Sequence, residues 1–230
     1  MRYDTIFFDL DHTLWDFKTN SHEALTELSG KYRLMERGIP SIDHFMEEYV
    51  VINEKLWDDY RKGLIDKQGL RYERFYLALL KFSIDDRELS ENIGNDYTAI
   101  APYKTNLFPD AIDVLEYLHK KYPLYIITNG FEEVQHLKMK SSKLDKYFSG
   151  VITSERSGYK KPDQRMFEFS MKIANTKKEK SLMIGDSLEA DVLGAKEFGM
   201  EQVYFNPEGR GHSEQFTHEI RSLNELRMIL

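Results

Sequence analysis

Short runs of apolar, β-branched and aromatic residues recur along the chain at residues 3–8, 124–127, 151–153, 182–184 and 202–205. Each is too short and too uniformly apolar for an amphipathic helix, and each is closed by turn-forming or polar residues. That pattern predicts buried strands of a parallel sheet. The stretches between them change period. Ile112, Leu115 and Leu118 form one stripe within 109–122, with Pro109 suited to a first helical turn, and 163–173 and 189–198 read the same way. Strand alternating with helix predicts an α/β fold, a doubly wound, Rossmann-like parallel sheet whose ligands gather at the carboxyl ends of the strands.

The segment 17–102 breaks this rhythm. Ile42, Phe45, Met46, Tyr49, Leu56 and Tyr60 keep mostly helical spacing, as do Tyr72, Phe75, Tyr76 and Leu79, and no strand-like run with flanking turns occurs. The expectation is an α-helical subdomain inserted into a core made of residues 1–16 and 103–230, with hinges near 16–20 and 101–107.

Composition narrows the function. An apolar content of 41% over 230 residues is ample for a packed interior. The net charge of -7 argues against a nucleic-acid polymer or an anionic membrane as partner, since both reward a basic face, while a small anionic substrate is allowed where cations concentrate locally. Zero cysteines exclude disulfides, zinc thiolates and a cysteine nucleophile, and suit a reducing compartment. The N-terminal apolar run is too short for a signal-peptide core and no stretch approaches the roughly 18 apolar residues of a membrane span, so the expected location is cytoplasmic.

The candidate chemistry begins with Asp9 and Asp11, which directly follow the apolar run Ile6-Phe7-Phe8. Two carboxylates at the end of a buried strand repel each other and are costly to desolvate unless something positive lies beside them. Three further clusters fall at or just beyond predicted strand ends: Thr128-Asn129-Gly130, Lys160-Lys161, and Gly185-Asp186 followed by Asp191. In an open parallel sheet those ends meet in one crevice. Asp9, Asp11 and Asp186 would supply hard oxygen ligands for Mg²⁺, which favours carboxylates plus a phosphate oxygen. Asp9 could then attack phosphorus and form an aspartyl-phosphate, while Asp11 donates a proton to the leaving oxygen and later takes one from water. Thr128, the backbone N–H groups after it, and Lys161 would hold the other phosphate oxygens.

Asp9-Leu10-Asp11-His12-Thr13, Thr128-Asn129, Lys161-Pro162, and Gly185-Asp186 with Asp191 occur in the order and at the strand ends of the four motifs of the haloacid dehalogenase superfamily, which the whole chain resembles. The resemblance implies that Asp9 is the nucleophile, that Asp11 is acid/base and a metal ligand through its backbone carbonyl, and that Asp186 binds Mg²⁺. It selects Lys161 over Lys160, places Thr13 in the first motif, gives Asp191 the orienting of Lys161 or of a water on the metal, and adds Asn129 to the phosphate-binding motif. It also implies that 17–102 is a helical cap. The stretches FFDLDHTLWDF, LFPDAIDVLEYLHKKYPLYIITNG and VYFNPEGR look like the branch containing pyrimidine 5′-nucleotidases.

The expected activity is therefore hydrolysis of a small-molecule phosphate ester, with a pyrimidine nucleoside 5′-monophosphate as one candidate. Trp15 and Phe17 follow the nucleophile loop and are candidates to stack on a base. The cap aromatics Trp57, Tyr60, Tyr72, Phe75 and Tyr76 read chiefly as packing, and Arg71 and Arg74 as a solvated helix face ahead of the alternative that they reach a substrate anion from the cap. His12 occupies a variable motif position and receives no chemical role. The other histidines lack metal-ligand spacing.

Taken singly, each cluster has a plain structural reading: a solvated strand-end pair, an Asn-Gly turn, a solvated lysine pair, or helix N-terminal acids. Three other functions compete. A 2-haloacid dehalogenase would use the same nucleophile on carbon, but that family pattern lacks the second aspartate, here Asp11. A phosphomutase would return the phosphoryl group to its substrate. A phospho-acceptor signalling module shares the acids, Thr and Lys, but is about half as long and has no inserted helices.

Overall fold

The computed structural model describes residues 2–230. The chain forms two compact units, one running up to Phe17 and resuming at Thr105–Leu230, the other Lys18–Lys104.

The first unit is built on six strands: β1 (Thr5–Phe8), β2 (Leu124–Thr128), β3 (Gly150–Thr153), β4 (Ser181–Gly185), β5 (Glu201–Phe205) and β6 (His218–Ile220). They form one sheet in the order β3-β2-β1-β4-β5-β6, and every neighbouring pair is parallel. Both faces are covered, which is why β1 to β5 read as largely apolar runs. Ile6 and Phe8 join one core with Leu124, Ile126, Leu182, Ile184, Val203 and Phe205. Phe7, Ile127, Ile152 and Met183 point to the other face and pack with Met166, Phe167 and Ala195.

The second unit is helical. In chain order its helices are α1 (Phe17–Tyr32, which begins at the boundary residue), α2 (Ile42–Arg61), α3 (Lys67–Leu80) and α4 (Arg87–Ile100). Ser41, Asp66 and Asp86 cap the last three, each accepting a hydrogen bond from a backbone N–H three residues on. The unit has its own core, centred on Phe45, Tyr49, Phe75, Leu79 and Ile93.

The α-helices of the sheet unit are α5 (Ala111–Leu118), α6 (Glu132–Ser141), the single turn α7 (Ser154–Ser157), α8 (Gln164–Ala174), α9 (Gly194–Phe198) and the single turn α10 (Leu226–Ile229). Three departures from the sequence reading have physical causes. Pro109 lies outside α5, because Asp110 takes a left-handed conformation at φ 65° and delays the helix. The segment expected to be helical from 189 begins instead as a wide, π-type turn over Leu188–Leu193, capped by the Ser187 side chain on Ala190 N–H. Helix α6 carries no clear apolar stripe and was not expected; its buried residues are Gln135, Lys138 and Met139. Among the described residues no helix is long and apolar enough to cross a membrane.

Candidate active site

The parallel sheet delivers the motif residues to one edge. Asp9 immediately follows β1, and its N–H donates to Ile184 O on β4 at 2.9 Å, fixing where the strand ends. Lys161 arrives from the loop between α7 and α8 and is only 2% exposed. Its Nζ donates to Asp9 Oδ1 at 2.5 Å, to Asp191 Oδ1 at 2.6 Å and to the Ile127 carbonyl at 2.7 Å. Three acceptors for three ammonium protons satisfy a charge that burial would otherwise expel. Burial alone pulls the Lys161 pKa down; the charges and hydrogen bonds of Asp191 and Asp9 outweigh it and leave the ammonium firmly protonated.

Asn129 explains how Lys161 is held. Its Nδ2 donates to the Lys161 carbonyl at 2.9 Å, and its Oδ1 accepts from the Lys161 N–H at 2.8 Å. The carboxamide thus braces the Lys161 loop, so any contact of Asn129 with phosphate falls to its backbone N–H. Thr128 is buried at the end of β2, and its Oγ1 accepts from Gly130 N–H at 3.0 Å. That leaves its own O–H to donate.

Asp186 follows β4 and is held twice by Thr13, whose hydroxyl donates to Asp186 Oδ1 at 3.0 Å and accepts from Asp186 N–H at 3.1 Å. Asp191 gives Oδ1 to Lys161, while its Oδ2 accepts from Ser187 N–H at 3.1 Å. Gly185 is required here, since a Cβ at that position would lie 2.3 Å from Asp191 Oδ2.

Asp9, Asp186 and Asp191 bring carboxylate oxygens within 4.8 Å of one another. Two of the three carboxylates pair with Lys161 and, among the described residues, Asp186 pairs with no cation, so the cluster carries an excess of negative charge if all are ionised. Burial pushes the Asp186 carboxyl up to about 7, aided by the charge of Asp191 and opposed by the Thr13 hydrogen bond. Burial likewise raises Asp9 well above the usual carboxylate range, with Lys161 opposing and Asp191 and Asp186 adding to the shift. Hard oxygen donors, excess negative charge and raised pKa values together fit a divalent cation. With both Asp191 oxygens engaged, Asp9 and Asp186 are the carboxylates positioned to hold it.

The haloacid dehalogenase-like hydrolase family matches the chain over residues 3–199. The protein belongs to this family. The hydrolase is 34% identical over 230 residues to the pyrimidine 5′-nucleotidase PynA of Streptococcus pneumoniae, covering 98% of this chain and 94% of the relative. It is 30% identical over 233 residues to the pyrimidine 5′-nucleotidase YjjG of Escherichia coli, covering 100% of this chain and 99% of the relative. Among solved structures, the HAD-hydrolase YfnB of Bacillus subtilis, bound to magnesium, superposes with a TM-score of 0.89 at 29% identity, covering 100% of this chain and 99% of that one.

Two residues that sequence reasoning missed in this hydrolase meet Asp11. Lys138 Nζ donates to Asp11 Oδ1 at 2.5 Å, and Gln135 Nε2 donates to Asp11 Oδ2 at 2.9 Å. Both come from α6, directly after Thr128-Asn129-Gly130. The available signal was a polar pair spaced i, i+3 just beyond that motif.

Trp15 requires a correction. It is 0% exposed, because the loop turns back on itself through Leu14 N–H and Trp15 N–H to Leu10 O and drives the indole into the core beside Leu107. Lys138 Nζ sits 3.9 Å from the ring centroid of Trp15. The side chain packs and supports Lys138, and its faces are not open to a base. Phe17 is half-buried and stacks on the exposed His12 ring at 4.6 Å, so it retains an aromatic surface near the nucleophile loop.

In the helical unit, Phe75 and Tyr60 are buried, in line with packing roles. Arg74 differs from the solvated residue expected. It is buried, donates to Asn53 Oδ1 at 3.2 Å, and lies 5.0 Å from the ring centroids of both Phe75 and Tyr97.

Proposed function

We propose that this hydrolase is a Mg²⁺-dependent phosphomonoesterase that works through an aspartyl-phosphate on Asp9, with pyrimidine nucleoside 5′-monophosphates as its substrate class. The observation that carries the reading is the ammonium of Lys161 shared between Asp9 and Asp191, beside Asp186. Asp9 and Asp186, with the Asp11 carbonyl that the family supplies, would hold the cation. When bound, the cation neutralises the carboxylates and stabilises charge on the phosphoryl oxygens.

The chain's own groups perform the rest. Lys161 opposes the burial that favours the neutral acid, and together with the cation it would leave Asp9 ionised, so that a carboxylate oxygen can form the new bond to phosphorus. As the ester P–O bond breaks, Asp11 gives its proton to the leaving oxygen. In the second half, water attacks phosphorus, its proton passes to Asp11, and Asp9 leaves as a carboxylate. The Thr128 hydroxyl donates to a non-reacting oxygen, and Lys161, whose three protons already have acceptors, stabilises the phosphoryl group through its charge. A second carboxylate at Asp11 serves proton transfer, which phosphate ester hydrolysis uses and halide displacement by Asp9 does not.

The relatives named as pyrimidine 5′-nucleotidases support the substrate class. The absence of cysteine suits a cytoplasmic enzyme. Phosphate release from a panel of nucleoside monophosphates, sugar phosphates and phosphoglycolate, with Mg²⁺ or with chelator, tests the reading. Preferential release from pyrimidine monophosphates, lost with chelator, is expected. Equal release from every ester would remove the nucleotidase part.

A further inference from the structure

Helix α6 is polar, yet Gln135 is 1% exposed and Lys138 4%. Burying an amide and an ammonium is costly unless each finds a partner. Both spend donors on one side chain, with Lys138 on Asp11 Oδ1 and Gln135 on Asp11 Oδ2. Spacing of i, i+3 places the two on one helix face. Each oxygen of the carboxylate has its own donor, so its rotation is fixed, while each oxygen keeps a further lone pair for a proton.

The donors are themselves immobilised. Lys138 lies over the rings of Trp15 and Phe17, at 3.9 Å and 5.6 Å from their centroids. The Gln135 amide fills the space beside Gly130, where a Cβ would meet Nε2 at 1.8 Å. Gln135 Oε1 is buried without a hydrogen-bond partner. An amide that leaves its acceptor unsatisfied in order to aim its donor at Asp11 is placed for Asp11.

We infer that Gln135 and Lys138 are positioning residues that clamp the Asp11 carboxylate for proton transfer, an assignment that rests on the acid/base reading of Asp11. The clamp acts where water attacks the aspartyl-phosphate: the water oxygen bonds to phosphorus, the phosphorus bond to Asp9 breaks with its electron pair returning to the carboxylate, and the water proton goes to a fixed Asp11 oxygen.

The test uses the full chain with Mg²⁺ and p-nitrophenyl phosphate, whose good leaving group needs little acid assistance, so that hydrolysis of the intermediate depends most on Asp11. Lys138→Met and Gln135→Met should each lower kcat by about 10- to 100-fold with KM nearly unchanged. They should also raise the fraction of chain trapped as aspartyl-phosphate after a rapid acid quench, and Lys138→Arg should recover most of the lost rate. Wild-type turnover with both Met variants within about two-fold of it would overturn the clamp and leave the phosphatase reading standing. A loss of rate that tracks a drop in melting temperature, with no rise in trapped intermediate, would also overturn it. Absence of any phosphoenzyme or turnover in the wild type would overturn both.

Discussion

The ammonium of Lys161 lies 2.5 Å from Asp9 Oδ1, although 152 residues separate the two in the chain. The pairing joins the end of the first strand to the loop after the third, and it is buried on both sides. Removing one partner of such a pair leaves an uncompensated charge in the interior, which typically costs about 3–5 kcal/mol. Lys161 also serves Asp191, so its loss would strand two carboxylates.

Lys161→Met should therefore lower stability by about 3–5 kcal/mol in chelator and reduce kcat/KM by more than about 100-fold. Denaturant unfolding and steady-state kinetics measure the two effects. A Met variant as stable as the wild type and nearly as active would show that the contact is incidental.

A pH and metal dependence follows from the raised carboxyls. Burial lifts Asp186 from an ordinary 3.8 to about 7. Between those values the folded state holds a proton that the unfolded chain has released, so stability should fall as pH rises through the window from about 4 to 7. Asp9, raised for the same reason, acts in the same direction. A divalent cation favours the ionised forms and should reverse the loss. In chelator, the melting temperature should decline between pH 5 and 8. Mg²⁺ at about 100 times its Kd should restore about 5–10 °C at pH 8, and much less at pH 5. Asp186→Asn should flatten the decline and shrink the Mg²⁺ effect. An equal Mg²⁺ shift at both pH values in the wild type would contradict the account.

How far the site could be read from the sequence depended on where each residue sits. Asp9, Thr128 and Asp186 end or directly follow apolar strands, so the pattern that betrayed the strands also placed the chemistry at their carboxyl ends. Lys161 could not be told from Lys160 by spacing, because both lie in a loop; the structure separates them by burial and by the Asn129 brace. Gln135 and Lys138 were invisible because a search for apolar periodicity is blind to a helix whose buried face is mostly polar. Strand β6, three residues long with Glu219 exposed, offered no apolar run. Trp15 misled because adjacency to the nucleophile suggested a substrate contact, whereas the reversal at Leu10 turns its indole into the core.

The central claim is that Asp9 becomes covalently phosphorylated during turnover. Rapid acid quench of the Mg²⁺-loaded protein mixed with a pyrimidine nucleoside monophosphate, followed by mass spectrometry of the peptide containing Asp9, addresses it directly. The account predicts one added phosphoryl group on Asp9, formed within the first turnover and absent in Asp9→Asn. Multiple turnovers of phosphate release with no adduct on Asp9, or undiminished release by Asp9→Asn, would contradict it.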